Sequence, residues 1–143
     1  MQNNNIEPLA QTLNESFKVA KSAAQNAYAP YSNFRIGAAL TSKDGEIIAG
    51  CNMENASYGL TTCAERNAFA AAIVKGHRQF SRILVYTPLK QLVAPCGACR
   101  QVIAEFLPQD ALVTLANDFG ESQSWTVEQL LPAAFTPAAL NEK

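Results

Sequence analysis

Three cysteines and a glutamate stand in two short segments whose spacing suits a catalytic zinc ion. Cys96 and Cys99, in the segment Pro95–Gln101, form a C-x-x-C pair that could chelate one ion from a single turn. Cys63 would be the third ligand, since catalytic zinc usually has three protein ligands and an open position for water. Glu65 is too close to Cys63 to be a comfortable fourth ligand and is placed instead to move protons to and from that water. The two segments predict one Zn²⁺ per chain with a general acid–base beside it.

Three thiolates around Zn²⁺ leave a net negative cluster, which would weaken the pull of the metal on water. Both cysteine segments are predicted to begin helices, whose N–H groups and dipole favour negative charge at that end. Arg66 and Arg100 each follow a cysteine segment closely. We favour Arg66 as the thiolate partner.

Other interpretations of these residues are open. Thr62 and Glu65 fit a capping box, in which Glu65 would only cap a helix. Cys51, the fourth cysteine, could complete a structural four-cysteine zinc site. That site would leave Glu65 without a role, and the gap from Cys51 to Cys63 is too long for a zinc knuckle. Cys51 is better explained as a small buried hydrophobe near a strand end. His77, the only histidine, lies in a polar turn and is predicted at the surface with no ligand role.

Length and composition indicate one domain over residues 1–143, because 143 residues with 48% hydrophobic side chains suffice for a single core. A formal net charge of −1 argues against a basic nucleic-acid-binding surface. No apolar run approaches the roughly 20 residues of a membrane helix, and Met1–Asn5 lacks the form of a signal peptide. Four cysteines in such a chain favour metal or catalysis over disulfides. We therefore expect a soluble, cytoplasmic protein.

Hydrophobic periodicity and turn residues predict helices and strands in alternation. Helices are predicted over 6–28, 62–75 and 95–106, with a helical turn over 128–131 and an irregular tail over 132–143. Strands are predicted over 35–41, 46–52, 81–87, 111–117 and 124–127, of which 81–87 is central and 124–127 a short edge strand. Strands joined through helices favour an α/β fold of three layers, α/β/α, around a mixed sheet of about five strands. Both cysteine helices would begin at one end of that sheet, where ligand sites commonly lie.

A set of motifs in this order resembles the small, homotetrameric, all-cysteine type of cytidine deaminase. The resemblance extends from about residue 28 to residue 137. It comprises Ala29–Phe34, Ile36–Ala39, Gly50–Tyr58, Cys63–Arg66, Pro95–Gln101 and Leu130–Pro132 with Phe135. Zinc nucleobase deaminases carry H-x-E or its cysteine variant followed by P-C-x-x-C. Arg35 and Ala94 depart from the usual pattern, where the family often has Pro and Ser.

The resemblance implies a reaction and a metal. Cys63, Cys96 and Cys99 would bind Zn²⁺, and water would attack C4 of the pyrimidine of cytidine or 2′-deoxycytidine. Glu65 would take the proton of the water, protonate N3 and then deliver a proton to the leaving amino group. The products would be ammonia and uridine or 2′-deoxyuridine, a step of pyrimidine salvage.

The resemblance also implies contacts with the nucleoside. Asn52 and Glu54 would hold the 3′-hydroxyl side of the ribose, and Phe34 would line the pocket for base and sugar. The backbone of Ala64 would contact the base. Phe135 would stack on the base in the site of a neighbouring subunit. Tyr31 and Tyr58 would form subunit contacts or part of the pocket wall.

Other functions compete with this one. A related zinc deaminase could act on another aminated ring, such as blasticidin S or a modified cytosine, although Asn52 and Glu54 suit a nucleoside sugar. A polynucleotide-editing deaminase is disfavoured because the chain is short and not basic. A non-catalytic zinc-stabilised module is the alternative from another class, and it should unfold when the metal is removed.

Overall fold

A six-stranded mixed sheet forms the centre of the molecule, in a computed structural model that describes residues 6–141. The strands lie in the order β1-β6-β5-β4-β2-β3, with β4 and β5 parallel and every other neighbouring pair antiparallel. Their bounds are β1 Glu7–Pro8, β2 Gly37–Ser42, β3 Ile47–Cys51, β4 Phe80–Thr87, β5 Leu112–Asn117 and β6 Glu121–Thr126. Residues 1–5, on which the signal-peptide prediction rests, lie outside the described residues.

Helices connect the strands and cover both faces of the sheet. Their bounds are α1 Asn14–Ala24, α2 Ala64–Val74, α3 Gly97–Phe106, α4 Val127–Leu130 and α5 Pro137–Asn141. The helices described over residues 6–141 include none that is both long and apolar enough to cross a lipid bilayer.

The larger core lies on the face of the sheet covered by α2 and α3. Alternate residues of a strand point to opposite faces, and Leu40, Val85 and Leu115 point to this one. They pack with Phe69 of α2 and Ile103 of α3. The two helices that begin with cysteines are thereby fixed side by side on one face.

The opposite face carries a smaller core against α1. Ala39, Leu84 and Tyr86 alternate with the residues of the first core and pack with Ala20 and Ala24 of α1. The predicted three-layer α/β/α architecture is therefore confirmed, and so is the central, buried position of β4.

Two glycines let helices approach the sheet closely. A Cβ at Gly37 would lie 1.7 Å from the carbonyl oxygen of Ala20, and one at Gly50 would lie 2.5 Å from the carbonyl oxygen of Ala64 and the amide of Ala68. Both distances are far below van der Waals contact, so each position requires glycine. Gly50 sets the depth at which the beginning of α2 packs on β3.

The prediction of a helix over 6–28 is wrong at its ends. The first part pairs with β6 as strand β1, and a 3₁₀ turn over Gln11–Leu13 precedes α1. The amide of Leu9 donates to the carbonyl oxygen of Gly120 (2.9 Å), so sheet pairing replaces a helical turn. Leu9 still packs against the α1 core, which explains why its spacing matched a helix.

The end of the chain also differs from expectation. The strand predicted over 124–127 begins earlier, at Glu121, and it is not an edge strand because β1 pairs with its outer side. The sheet therefore has six strands rather than five. The helical turn over 128–131 is confirmed as α4, capped by reciprocal hydrogen bonds between Thr126 and Gln129. The tail predicted to be irregular contains α5.

His77 is less exposed than predicted. Its side chain is 18% exposed, and its ring nitrogens lie 3.9 Å from a carboxylate oxygen of Asp44 and 3.4 Å from one of Glu46. The turn between β2 and β3 folds against the end of α2, which covers the ring.

Candidate metal centre and substrate cavity

The three cysteines predicted as ligands lie together where two helices begin. Cys63 immediately precedes α2, and Cys96 immediately precedes α3, in whose first turn Cys99 lies. Their Sγ atoms all lie within 4.8 Å of one another, and those of Cys63 and Cys96 are 4.0 Å apart. Two thiolates at about 2.3 Å from a tetrahedral zinc would be about 3.8 Å apart. The donor set and its spacing therefore fit Zn²⁺ with a fourth position open.

The capping-box interpretation of this segment is wrong. Cys63, not Thr62, is the N-cap of α2, and its side chain makes no capping hydrogen bond. Glu65 is therefore the second residue of the helix and not the reciprocal partner of a cap. Cys63 and Cys96 are the N-caps of α2 and α3, and the dipole of a helix favours negative charge at that end.

The environment separates the pKa values of two thiols. A hydrogen bond from Cys99 is the largest cause that lowers the pKa of Cys63 to about 5; Arg66 and Cys96 add to it, and burial opposes it. The same bond and burial raise the pKa of the Cys99 thiol. The cluster thus accommodates a thiolate at Cys63 even before a metal replaces the remaining protons.

Arg66 and Arg100 differ in what they contact. Nη2 of Arg66 donates to Sγ of Cys63 (3.8 Å) and to the carbonyl oxygen of Thr61 (3.4 Å). Contact with Cys63 also raises the pKa of Arg66. Arg100 instead donates to backbone carbonyl oxygens, those of Pro95 (2.7 Å) and Leu130 (3.0 Å). Arg66 is thus the arginine that contacts a cysteine sulfur, and Arg100 braces the chain around the second cysteine segment.

Glu65 is a buried carboxyl group beside the sulfur cluster. The residue is 5% exposed. Burial is the main cause that raises its pKa above the ordinary value, and the charge of Cys63 raises it further. A carboxyl group whose pKa is raised by burial holds a proton more readily than an exposed one, which suits it to donating a proton as well as accepting one. Burial beside the cluster is compatible with the predicted role of Glu65 as a proton carrier.

Glu65 and two of the cysteines open into a cavity of about 370 Å³. This volume is within the range of small-molecule sites. Most of its lining is apolar: Phe34, Ile36, Ala64, Val85, Leu89, Val93, Ala94, Pro95 and Leu115. The polar lining consists of Asn52, Thr61, Cys63, Glu65, Thr87, Gln91 and Cys96. A larger, shallower depression of about 760 Å³, near Lys43 and Arg82, lies at the other end of the sheet, away from the cysteines.

Asn52 and Glu54 both hold the loop that carries Phe34. The Asn52 amide donates to the carbonyl oxygen of Phe34 (2.8 Å), and its oxygen accepts from the amide of Ile36 (2.9 Å). The Glu54 carboxylate accepts from the amides of Tyr31 (3.0 Å) and Ser32 (3.1 Å) and from the Ser32 hydroxyl. The Ser32 hydroxyl is the largest cause that lowers the pKa of Glu54.

The predicted substrate residues do not all lie on the cavity. Phe34, Asn52 and Ala64 line it. Glu54 and Tyr58 lie in an adjoining groove of about 240 Å³ that shares Thr61 with the cavity. In that groove, the Tyr58 ring contacts Tyr31 edge to face, with the centroids 5.9 Å apart.

Phe135 lies on the surface, outside the cavity of its own chain. Its residue is 61% exposed, and its carbonyl oxygen accepts from Nε2 of Gln101 (2.8 Å). Cys51 is partly buried and is a free thiol. The backbone carbonyl oxygen of Cys51 accepts from the side-chain amide of Asn67 (2.8 Å). Among the described residues, Cys51 is not part of the cysteine cluster.

Sequence reasoning missed one wall of the cavity. Thr87 ends β4, and Leu89, Gln91 and Val93 follow it in a loop without regular structure. The position of this wall was predictable, because ligands in α/β folds commonly bind at the carboxyl ends of parallel strands. Thr87 is the last residue of such a strand.

Comparison with known proteins agrees with this site. The family model described as cytidine and deoxycytidylate deaminase zinc-binding region matches residues 10–115. A cytidine deaminase of Halalkalibacterium halodurans is 52% identical, over 87% of this chain and 95% of that protein. One of Sporosarcina psychrophila is 48% identical, over 85% of this chain and 90% of that protein. The crystal structure of cytidine deaminase from Burkholderia pseudomallei superposes with a TM-score of 0.82 at 44% identity, covering 89% of this chain and all of that one.

Proposed function

This chain belongs to the cytidine and deoxycytidylate deaminase family, and we propose that it catalyses the hydrolytic deamination of cytidine and 2′-deoxycytidine. The products are uridine or 2′-deoxyuridine and ammonia. The observation that carries the proposal is the buried carboxyl group of Glu65, which opens into an apolar cavity beside three clustered cysteines. Hydrolytic deamination needs a nucleophilic water and a group that moves its protons to the ring and the leaving amine, and these residues supply the means for both.

Cys63, Cys96 and Cys99 would hold one Zn²⁺, a Lewis acid that makes water nucleophilic near neutral pH. Arg66 supports the site by donating to Cys63, which offsets the negative charge of three thiolates. Glu65 takes the proton released by the attacking water and gives it to N3 of the pyrimidine. It then carries a second proton to the departing amino group, so that one water is consumed and one ammonia leaves.

The nucleoside contacts follow from the cavity. We assign the base to the region between Phe34 and the backbone of Ala64, both of which line the cavity. Asn52 lines it as well, and Glu54 lies in the adjoining groove. We assign both to the ribose, where they act directly or through the Phe34 loop that they hold.

Assembly into a homotetramer is part of the proposal. Large apolar side chains remain exposed on one surface next to the cavity, and such patches mark protein interfaces. They are Tyr28 (58% exposed), Tyr31 (50%), Met53 (52%), Tyr58 (74%) and Leu60 (66%). Phe135, exposed on its own chain, is assigned to the cavity of a neighbouring subunit, where it would stack on the base. Light scattering would test this assembly against four copies of the 15.4 kDa chain.

We assign the enzyme to pyrimidine salvage in the cytoplasm. The reaction returns free nucleosides to the uridine pool, which is the chemistry of salvage. None of the four cysteines is in a disulfide, as expected for a protein kept in a reducing compartment.

The deciding experiment is ultraviolet absorbance with zinc-quantified protein and a set of substrates. Cytidine and 2′-deoxycytidine should lose the cytosine band rapidly, whereas CMP and free cytosine should not. Turnover of blasticidin S alone would instead move the assignment to a deaminase of another aminated ring. A protein that holds one zinc per chain, turns over none of these compounds and unfolds when chelated would be a zinc-stabilised module.

A further inference from the structure

One wall of the cavity is a loop without helix or strand structure between β4 and α3, over residues 88–95, termed here the 88–95 loop. Leu89, Gln91, Val93, Ala94 and Pro95 of this loop line the cavity. A loop of this kind lacks the backbone ladder of a helix or strand, so its position depends on individual contacts.

Three side chains from outside the loop bond to its backbone, and the longest of these bonds runs from the amide of Leu89 to Oγ1 of Thr87 (3.3 Å). Arg100 donates to the carbonyl oxygen of Pro95 (2.7 Å), at the end next to the metal ligands. Asn117 donates through Nδ2 to the carbonyl oxygen of Lys90 (2.9 Å), which lies between Leu89 and Gln91, two residues that line the cavity. The Lys90 ammonium also lies over the ring of Phe119 (5.9 Å to the centroid).

Asn117 is built into the fold at the end of β5. Its residue is 1% exposed. Its Oδ1 accepts from the amides of Phe119 (2.9 Å) and Glu121 (3.1 Å), which closes the turn between β5 and β6. Its Nδ2 donates to Oε1 of Glu121 (3.1 Å) as well as to Lys90. One buried side chain therefore ties the cavity wall to the rigid centre of the sheet.

Only an amide of this length satisfies all four of these bonds. Asparagine has two donor hydrogens and an oxygen with two lone pairs, and each of them has a partner here. Aspartate at this position would keep the two bonds to the turn and would lose the donor to Lys90. Without this donor the carbonyl oxygen of Lys90, an exposed residue, would bond to water instead, which favours positions of the loop away from Asn117.

We propose that Asn117 is a positioning residue that holds the 88–95 loop closed against the cavity and thereby sets the affinity for the nucleoside. The proposal rests on the proposed function for its substrate. Cys63 and Glu65 lie at the beginning of α2, which this loop does not anchor, and Arg100 holds the loop next to Cys96. Loss of the Asn117 bond should therefore weaken binding more than it slows the chemical step.

The test variant is Asn117→Asp combined with Glu121→Gln. The second change supplies an amide donor opposite the new carboxylate, so that two negative charges do not face each other. Glu121→Gln alone is the matched control, because it leaves the bond from Asn117 to Lys90 in place. We expect about a tenfold rise in KM for cytidine in the double variant, as for the loss of one buried hydrogen bond, with kcat and zinc content changed less than about threefold.

Tryptic cleavage after Lys90 gives a readout that needs no substrate. Trypsin attacks the carbonyl group of Lys90, which is the group that accepts from Asn117, so cleavage requires that bond to open. Cleavage of the native protein at this site should be about tenfold faster in the double variant than in Glu121→Gln. Equal KM and equal cleavage rates in the two proteins would overturn the proposal.

A second control separates loop anchoring from general stability. Gly120 lies in the same turn with a φ of +75°, and a Cβ there would meet no atom within 4 Å. Gly120→Ala therefore strains the turn without removing the Asn117 bond, and it should lower Tm while KM and cleavage after Lys90 stay unchanged. If Gly120→Ala raised KM and the rate of cleavage after Lys90 as much as the double variant does, the stability of the turn and not Asn117 would control the loop.

The wild-type protein decides the matter if the double variant does not fold. Saturating uridine should slow cleavage after Lys90, because a nucleoside in the cavity packs against the closed loop. Cleavage that is equally fast with and without uridine, in a protein that deaminates cytidine, would overturn the proposal. A wild-type protein inactive on cytidine would instead refute the proposed function; where the double variant folds, its cleavage rate against that of Glu121→Gln still decides whether Asn117 anchors the loop.

Discussion

Nη2 of Arg66 lies 3.8 Å from Sγ of Cys63, one helical turn away on α2. The predicted zinc ligand and its cationic partner thus lie within one turn at the beginning of α2, so their separation is fixed by helix geometry rather than by the packing of distant parts. Nε of Arg66 is buried and has no hydrogen-bond partner among the described residues. The guanidinium is therefore held at the sulfur cluster at the cost of one unpaired donor.

Arg66→Gln should weaken zinc binding. Loss of a partner that orients or neutralises a metal ligand typically costs about 10–100-fold in metal affinity, and turnover at limiting zinc should fall with it. Competition with a chromogenic chelator measures the affinity directly. Arg66→Lys keeps the positive charge but loses the several N–H donors of the guanidinium. Its zinc affinity should therefore lie between those of Arg66→Gln and the wild type. Unchanged metal affinity and turnover in Arg66→Gln would show that Arg66 is not the thiolate partner.

Glu65→Gln should retain zinc and lose turnover. The amide fills the same buried space but cannot accept and return a proton, and loss of a general acid–base costs about 10²–10⁴-fold in kcat. Metal analysis and steady-state kinetics on the same preparation make the comparison. Glu105→Gln, on the exposed side of α3, is the matched control and should keep wild-type kcat. Substantial activity in zinc-loaded Glu65→Gln would remove Glu65 from the mechanism.

Gly50→Ala should disturb the metal site through packing alone. The new Cβ would lie 2.5 Å from backbone atoms of Ala64 and Ala68, so the beginning of α2 must move away from β3. Overpacking of this kind costs about 1–3 kcal/mol of unfolding free energy, and zinc affinity should fall because Cys63 moves with the helix. Urea unfolding and chelator competition give the two values.

Gly59→Ala is the control for that change. A Cβ at Gly59 would meet no atom within 4 Å, so the unfolding free energy should change by less than about 0.5 kcal/mol. If both variants had the same stability and metal affinity, the close approach at Gly50 would not control the position of α2.

Tyr86 should make stability fall with rising pH in the alkaline range. Burial, together with the bond from its hydroxyl to Asp118 (2.6 Å), raises the pKa of Tyr86 from 10.0 to about 12. Above pH 10 the unfolded chain ionises this tyrosine and the folded chain does not, so the stabilisation present below pH 10 is lost as the pH rises toward 12. Urea unfolding at a series of pH values measures the slope.

Two variants test the origin of that slope. Tyr86→Phe should flatten it because the titrating group is gone. Asp118→Asn should reduce it, since the negative charge that opposes ionisation of Tyr86 is removed. A slope in Tyr86→Phe as steep as in the wild type would assign the pH dependence to another group.

Much of the site was determined by residue type and short spacing. C-x-x-C and C-x-E predict a metal site from residues that are close together in the sequence. Thiolates and a carboxylate within one turn can share a metal and its water whatever surrounds them. The apolar periodicity of β2, β4, β5, α2 and α3 likewise predicted the layers, since burial on one face imposes a repeat on the sequence.

Contacts between distant segments were decided only by the tertiary structure. Three contacts join residues far apart in the chain: the pairing of β1 with β6, the hydrogen bond from Ser32 to Glu54 and the hydrogen bond from Asn117 to Lys90. A single asparagine or proline carries no periodic signal, and its partner is selected by the packing of the whole sheet. For this reason the sequence by itself determined that three cysteines and a glutamate could share one site, whereas the cavity wall that faces them exists only in the folded molecule.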